Sequence, residues 1–230
     1  MKHPHTIFLA EGAYTLPDAA QLLGIPLTRL RLWVGGVLWQ GDDSEKSRHY
    51  TAGKFHTKGE GRDKHLNFFT LIELFTIAKL REYGVSMATA RRARNELAKR
   101  FETPYPFALR GLLTGGKKLL KELGNEVLLE LDTDGQTAFA SVLKPFCHQL
   151  DFDSSTQLAS RFYPEGRESV VVVDPRHAFG RPVIVGTNIT TECLGQLLRG
   201  GENAEEIAQD FRLDISKVNE AWRFEQKRAA

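Results

Sequence analysis

Two short apolar runs, SVVVV at 169–173 and PVIV at 182–185, constrain this chain more than any other feature. Runs of four or five residues rich in valine and isoleucine are too short for helices and suit strands buried on both faces. The short link between them, DPRHAFGR, lets the two strands pair. Gly180 and Gly186 would free the backbone for sharp bends at both ends of the second strand. Thr190 or Thr191 is then a natural N-cap for a helix with Cys193, Leu194, Leu197 and Leu198 on one face. Gly200 and Gly201 stop that helix. Asn203 caps a short one bearing Ile207, Ala208 and Phe211, and Asp214 caps a last one bearing Val218, Ala221 and Trp222. The strand thus anchors a three-helix, helix-turn-helix-like module to whatever precedes it.

A second helix-turn-helix pattern opens the chain in YTLPDAAQLLGIPLTRLRLWV. Pro17 sits at a first helical position, and Ala19 and Ala20 give a small-residue face that permits close helix crossing. The Gly24-Ile25-Pro26 break is followed by Leu27, Leu30 and Val34 on the apolar stripe of a second helix, leaving Thr28, Arg29 and Arg31 outward. Outward residues of such a helix are the ones that read a major groove, although an ordinary helical hairpin with exposed arginines has the same pattern. The Gly-rich, charged stretch 41–67 reads as a β-hairpin or wing whose Arg48, Lys54, Lys58, Arg62 and Lys64 could reach phosphates. TLIE at 70–73 has the form of a capping box, opening a helix with Leu71, Leu74, Phe75 and Ala78 on one face. Gly84 ends that helix and Ser86 caps another running to about Phe101. Its expected buried stripe is Met87, Ala90, Leu97 and Phe101, with Arg91, Arg92, Asn95 and Lys99 on the adjacent arc.

Charge is unevenly distributed along the chain. Residues 1–101 carry 16 lysines and arginines against 10 aspartates and glutamates, whereas 102–165 carry 6 against 9 and 166–230 carry 9 against 10. A cationic first half suggests a polyanion partner there and a different partner for the rest. The helix around Glu205, Glu206 and Asp210, with Glu202 before it, would repel phosphates, so a protein or dimer contact is expected at that end. The terminal NEAWRFEQKRAA offers Trp222, Arg223, Phe224, Lys227 and Arg228, residue types enriched at interface hot spots. The alternative is that Trp222 is core and the tail frays. The strand residues Val183, Ile184 and Val185 are a candidate dimerisation edge, since symmetric operators imply dimers.

Several motifs resemble chemistry without supplying it. GLLTGGKK at 111–118 has phosphate-loop spacing, but Lys118 stands where a magnesium-binding hydroxyl is needed, and its flanks read as a hairpin around a Gly-Gly turn. The pairs Asp132/Asp134 and Asp151/Asp153 fall at turns and strand ends, where aspartate ordinarily bonds the backbone. Cys147 and His148 are adjacent in sequence and would not face each other on a helix expected over 136–149. The sequence therefore predicts no enzyme and no cofactor. Two cysteines without metal spacing, no signal-like segment and no membrane-length apolar run lead to the expectation of a cytoplasmic protein with no membrane partner.

Two family resemblances follow from these motifs. LPDAAQLLGIPLTRLRLWV, RHY and FFTLIELFTIAKLREYGVSMATARRA resemble the winged helix-turn-helix of the MerR-like group, over about residues 13–100. That resemblance implies groove contacts by Thr28, Arg29 and Arg31 and a wing carrying Arg48 and Tyr50. The wing is longer than usual, and no long coiled coil or cysteine cluster follows it. Residues 170–226, with Gly180, Arg181, Pro182, Val183, Ile184, Gly186, Thr187, Gly200, Ile207 and Ala208, resemble the DUF433 domain. Asn188 stands where members often carry arginine. Together the two halves resemble the larger VapB-type antitoxins, whose cognate toxins are PIN-like ribonucleases holding metal with clustered carboxylates. An inserted arginine could neutralise such a site.

The expected architecture is mainly α with β-hairpins (α+β). It comprises a DNA-binding winged helix-turn-helix over 1–101, a small α/β segment over 102–165 and a DUF433-like helical module over 166–230. The expected function is an antitoxin that represses its own operator, a double-stranded DNA partner, as a homodimer and neutralises a PIN-like ribonuclease toxin. The alternatives are a MerR-like transcriptional regulator with a small-molecule effector and a protein-binding adaptor.

Overall fold

The computed structural model describes residues 12–35, 55–59, 63–82, 84–110, 146 and 148–229. The expected wing residues Arg48, Tyr50, Lys54 and Arg62 lie outside the described residues, as do the 111–118 loop, Asp132, Asp134, Cys147 and most of the 136–149 helix. The described chain is mixed α/β, with seven helices and two small antiparallel sheets among the described residues.

The first half is built from β1 (Gly12–Thr15), α1 (Leu16–Leu23), α2 (Leu27–Gly35), β2 (Thr57–Lys58), β3 (His65–Asn67), α3 (Phe68–Glu82) and α4 (Met87–Arg100). The strands form a sheet in the order β1-β3-β2. Thr15 caps α1 through a capping box with Asp18, and Gly24 closes it in the left-handed conformation at φ 63°, where its N–H reaches back to the last turn. This stop, with Ala19 and Ala20 buried, brings α2 against α1 at close range.

Helix α3 is the centre of the molecule. Twelve of its fifteen residues are buried, so it is apolar nearly all round and packs on every side. Its start corrects the sequence expectation. The helix begins at Phe68, and the Asn67 side-chain oxygen accepts the Thr70 N–H at 2.8 Å, so Asn67 rather than Thr70 is the cap. The TLIE pattern therefore falls inside the helix, where Thr70 donates to the His56 carbonyl at 2.9 Å and Glu73 is fully buried. Arg94 on α4 meets Glu73 with two hydrogen bonds, Nε at 2.9 Å and Nη2 at 2.7 Å, and also donates to the Pro104 carbonyl at 2.8 Å. Burial pushes the Glu73 carboxyl up to about 7 against the pull of the Arg94 guanidinium. Ser86 caps α4 as expected, through the Thr89 N–H at 3.0 Å. Phe101, expected in the buried stripe, is exposed because α4 ends at Arg100; within the stripe, Arg94 supplies the buried contact instead.

The second half carries β4 (Leu150–Phe152), β5 (Ala159–Phe162), β6 (Val171–Val173) and β7 (Pro182–Ile184) in a sheet of that order. As the apolar runs predict, β6 and β7 pair, with Val171 opposite Ile184 and Val173 opposite Pro182. Helices α5 (Thr191–Arg199), α6 (Ala204–Asp210) and α7 (Ile215–Ala229) complete the chain. Thr190 caps α5 and Asn203 caps α6, both as read from the sequence. Ile184, Leu194, Ile207, Ala208, Val218 and Ala221 form their own apolar cluster.

The larger core is continuous from the first half into the second. It runs from Leu30 and Trp33 through α3 to Phe107, Phe162 and Val173, and takes in Phe224 from α7. Phe75 on α3 stacks on Phe162 of β5 at 4.8 Å between ring centroids. A second tie lies at the 3-10 turn Ala178–Gly180, where Ala178, Phe179 and Gly180 all have positive φ, at 45°, 57° and 82°. A Cβ on Gly180 would collide with the Tyr14 hydroxyl, so glycine here is what lets β1 and this turn touch. The Tyr14 hydroxyl is buried without a hydrogen-bond partner among the described residues, and burial together with the charge of Asp174 pushes its pKa upward.

Two outcomes test this packing. Gly180→Ala is expected to lower stability by about 1–3 kcal/mol through strain and collision. Tyr14→Phe, by removing an unsatisfied buried hydroxyl, is expected to be neutral or stabilising by urea denaturation. For the buried pair, Glu73 binds its proton more tightly folded than unfolded. Its contribution is then fully present below about pH 4.5 and is lost as pH rises toward about 7. Urea midpoints of wild type should carry that fall across this window, and Glu73→Gln should remove it.

Candidate nucleic-acid interface

Helix α2 presents the surface the sequence singled out. Leu30, Trp33 and Val34 are buried against the core, and Thr28, Arg29 and Arg31 are exposed together on the opposite face. Leu32, at 46% exposure, lies among them as an exposed apolar side chain that the apolar periodicity does not mark. The partition follows from the 3.6-residue period: once Leu30 and Val34 dock, positions 28, 29 and 31 face water.

Arg29 and Leu32 also line a cleft of about 510 Å³ shared with Trp33, Arg81, Glu82 and Arg91. The cleft joins α2 to the corner between α3 and α4. Arg91 is expected from sequence on an outer arc, yet it is partly buried, and its Nη2 donates to the Trp33 carbonyl at 3.1 Å. It therefore clamps the last turn of α2 to α4. Arg92 is exposed beside it. Arg81 was not read as a functional residue; its Nη1 donates to the Val85 carbonyl at 2.7 Å, which leaves it at the rim of the cleft. Its i, i+4 relation to Val85 across the Gly84 turn is the sequence signal that could have found it.

The expected partner-binding tail is largely engaged within the chain itself. Phe224 is buried in the main core, which corrects its expected exposure: α7 lies against α5, α6 and α1, so the face bearing Ala221, Phe224 and Glu225 points inward. Lys227 reaches Glu165 at 2.5 Å, and Arg228 pairs with Glu225 at 2.8 Å while stacking over the Phe224 ring. Glu225 in turn accepts the Thr191 hydroxyl at 2.6 Å. Arg223 is exposed and Trp222 half-buried with Arg199 over its ring. The candidate dimerisation residues divide similarly. Val183 and Ile184 are buried, because the chain turns back at Gly186 and the Ile189 carbonyl accepts the Ile184 N–H at 2.9 Å. Only Val185 is exposed, at 43%. Among the described residues, no group of histidine, cysteine, aspartate and glutamate is arranged to hold a metal, and no helix is long and apolar enough to cross a membrane.

Comparison with known proteins sets this geometry in context. A family model described as "Protein of unknown function (DUF433)" matches residues 171–224, which span β6 to α7. Two curated proteins of Mycobacterium tuberculosis are similar over nearly their whole lengths. "Uncharacterized protein Rv2308" is 24% identical over 96% of this chain and 93% of its own. "Putative antitoxin VapB45" is 22% identical over 90% of this chain and 91% of its own. Among solved structures, the crystal structure of Rv2018 from the same organism superposes with a TM-score of 0.69 at 20% identity, covering 92% of this chain and 97% of that one. The chain therefore has the fold of that crystal structure.

The exposed arginines of α2 are expected to be separable from stability. Arg29→Ala and Arg31→Ala should each change the unfolding free energy by no more than about 0.5 kcal/mol. Arg91→Ala should cost about 1 kcal/mol or more, since it leaves the Trp33 carbonyl without this donor. Chemical denaturation of the three variants reads the difference.

Proposed function

We propose that this chain is the antitoxin of a toxin–antitoxin pair, which binds its own operator DNA as a repressor and neutralises a PIN-like ribonuclease. The observation that carries the DNA-binding part is the joint exposure of Thr28, Arg29 and Arg31 on one face of α2, with Arg92 and the Arg81 rim on the neighbouring corner. In a winged helix-turn-helix reading of the first half, α2 enters the major groove. Arg29 and Arg31 read base edges there, and the corner cations meet phosphates. Arg91 then positions α2 through Trp33 rather than acting only as a phosphate contact. Arg48, Tyr50 and Lys54 belong to the wing in the same reading.

The antitoxin part is supported by whole-length similarity to a protein named for that role. The second half suits a protein partner better than a duplex: Glu202, Glu205, Glu206 and Asp210 make the surface of α6 acidic. On the last helix, Trp222 and Arg223 remain available to a partner, whereas Lys227 and Arg228 would have to leave Glu165 and Glu225 first. Dimerisation, if it serves a symmetric operator, would use surfaces other than the buried Val183 and Ile184.

Gel-shift titration against the chain's own promoter tests the DNA-binding part. Affinity should fall steeply and linearly in log–log form with salt. Arg29→Ala or Arg31→Ala should each weaken specific binding by roughly tenfold to a hundredfold, the scale of a lost base contact. Absence of binding at low salt would overturn this part. Expressing the neighbouring reading frame with and without this chain tests the other: growth arrest by the neighbour alone, relieved on co-expression, is expected, and a harmless neighbour rejects the antitoxin reading.

A further inference from the structure

A second cationic groove, sharing no residue with the α2 cleft, lies on the β4–β5 side of the second sheet. It is about 670 Å³ in volume, and its walls include Arg110, His148, Ser160, Arg161, Arg167 and Arg176. Its size is in the range of small-ligand sites, but the predominance of guanidinium groups points to a highly charged ligand rather than an apolar one.

The arginines are braced from below. Asp174 is 1% exposed and accepts Arg161 Nε at 2.8 Å, Arg176 Nη2 at 2.8 Å and Arg176 Nε at 3.0 Å. Burial pushes the Asp174 carboxyl up, and the hydrogen bonds from Arg176 and Arg161 outweigh this and hold it below its ordinary value. Asp151 takes Arg167 Nη2 at 2.6 Å and the Tyr163 hydroxyl at 2.9 Å. Arg167 is fixed further by the carbonyls of His148 and Leu150 and by the Tyr163 ring beneath it. Asp153, a further carboxylate of the groove wall, keeps its charge: Ser155 and Thr156 direct both hydroxyls and both N–H groups at one oxygen and hold its carboxyl down to about 2, so the four arginines face two wall aspartates.

Asp174 thus lies beneath the guanidiniums, and Asp151 stands beside them in the wall. Asp174 and Asp151 lie at 1% and 26% side-chain exposure, whereas Arg161, Arg167 and Arg176 stand at 42%, 46% and 44%. Buried Asp174 and partly exposed Asp151, which itself lines the groove, orient the cations, and the half-exposed cations face the groove. Nη1 of Arg167 and of Arg176 makes no hydrogen bond among the described residues. Planar forks held in place before a ligand arrives lose little freedom on binding an oxyanion, and such charge-assisted bonds are stronger than neutral ones.

We propose that this groove is a binding site for a phosphate-class oxyanion, either free phosphate or the terminal phosphate of a phosphorylated small molecule, held by Arg161, Arg167 and Arg176 with His148 and Ser160 at its rim. The site stands whether or not the chain binds operator DNA.

The test is titration of the purified full chain with inorganic phosphate, followed by heteronuclear NMR or calorimetry, against chloride at matched ionic strength. Saturable phosphate binding that chloride does not reproduce is expected, and Arg167→Ala should weaken it at least tenfold. Arg176→Lys serves as the second variant, because it keeps a cation beside Asp174 while removing the fork, and should weaken binding similarly with the circular dichroism spectrum unchanged. Adenosine monophosphate separates the two sources: tighter binding than inorganic phosphate, with adenosine giving no response, identifies a phosphate ester, and binding no tighter than inorganic phosphate identifies free phosphate. A phosphate response no larger than that of chloride, or folded Arg167→Ala and Arg176→Lys variants that bind like wild type, overturns the proposal.

Discussion

The buried hydrogen-bonded pair of Glu73 and Arg94 is the constraint on which the rest of this structure depends. A carboxylate in the middle of a fully enclosed helix is costly unless a partner and further donors surround it. Here Arg94 bonds it twice and the Phe107 N–H lies at its other oxygen, while Arg94 also holds the Pro104 carbonyl. The consequence is geometric. The pair fixes the rotation of α4 on α3 and brings the 104–108 turn against both, and that turn leads toward the second sheet. Replacing both partners by apolar residues could preserve stability, but the register between the helices would then rest on packing alone.

Asp174 plays a comparable part at the other end of the core. It closes β6, orients Arg161 and Arg176, and accepts the Arg176 N–H at the start of the bend toward Gly180. Its charge is also felt by the buried Tyr14 hydroxyl, which packs on that bend. One carboxylate thereby links the strand pair, the strained 178–180 turn and the first sheet. Phe179 is 75% exposed on this turn, an unusual location for a bulky residue with positive φ; nothing in the described residues covers it.

Much of the first half was legible in the sequence, and the reasons are local. The Gly24-Ile25-Pro26 break marks the end of α1 in the sequence, and the structure closes it there with Gly24 in left-handed backbone; Thr28, Arg29 and Arg31 face outward because Leu30 and Val34 face inward. The same logic failed at TLIE. A capping box differs from a mid-helix Thr-x-x-Glu only in what precedes it, and Asn67, at the end of a strand three residues long, already filled the capping position. Arg94 was missed because a helical arginine ordinarily faces solvent, and its partner lies 21 residues away.

By itself the sequence determined the short-range features: the caps at Ser86, Thr190 and Asn203, the paired strands at 171–173 and 182–184, and the outward face of α2. Each depends on a hydrogen bond or a periodicity within a few residues, which composition and spacing encode directly. Only the tertiary structure decided that Phe224 and Val183 are interior, that Lys227 and Arg228 pair with glutamates of the same chain, and that arginines from 110 to 176 converge in one groove. The physical reason is that a helix or strand reveals its apolar face by pattern. What covers its other face, and which distant charge meets which, is set by the packing of elements far apart in the chain.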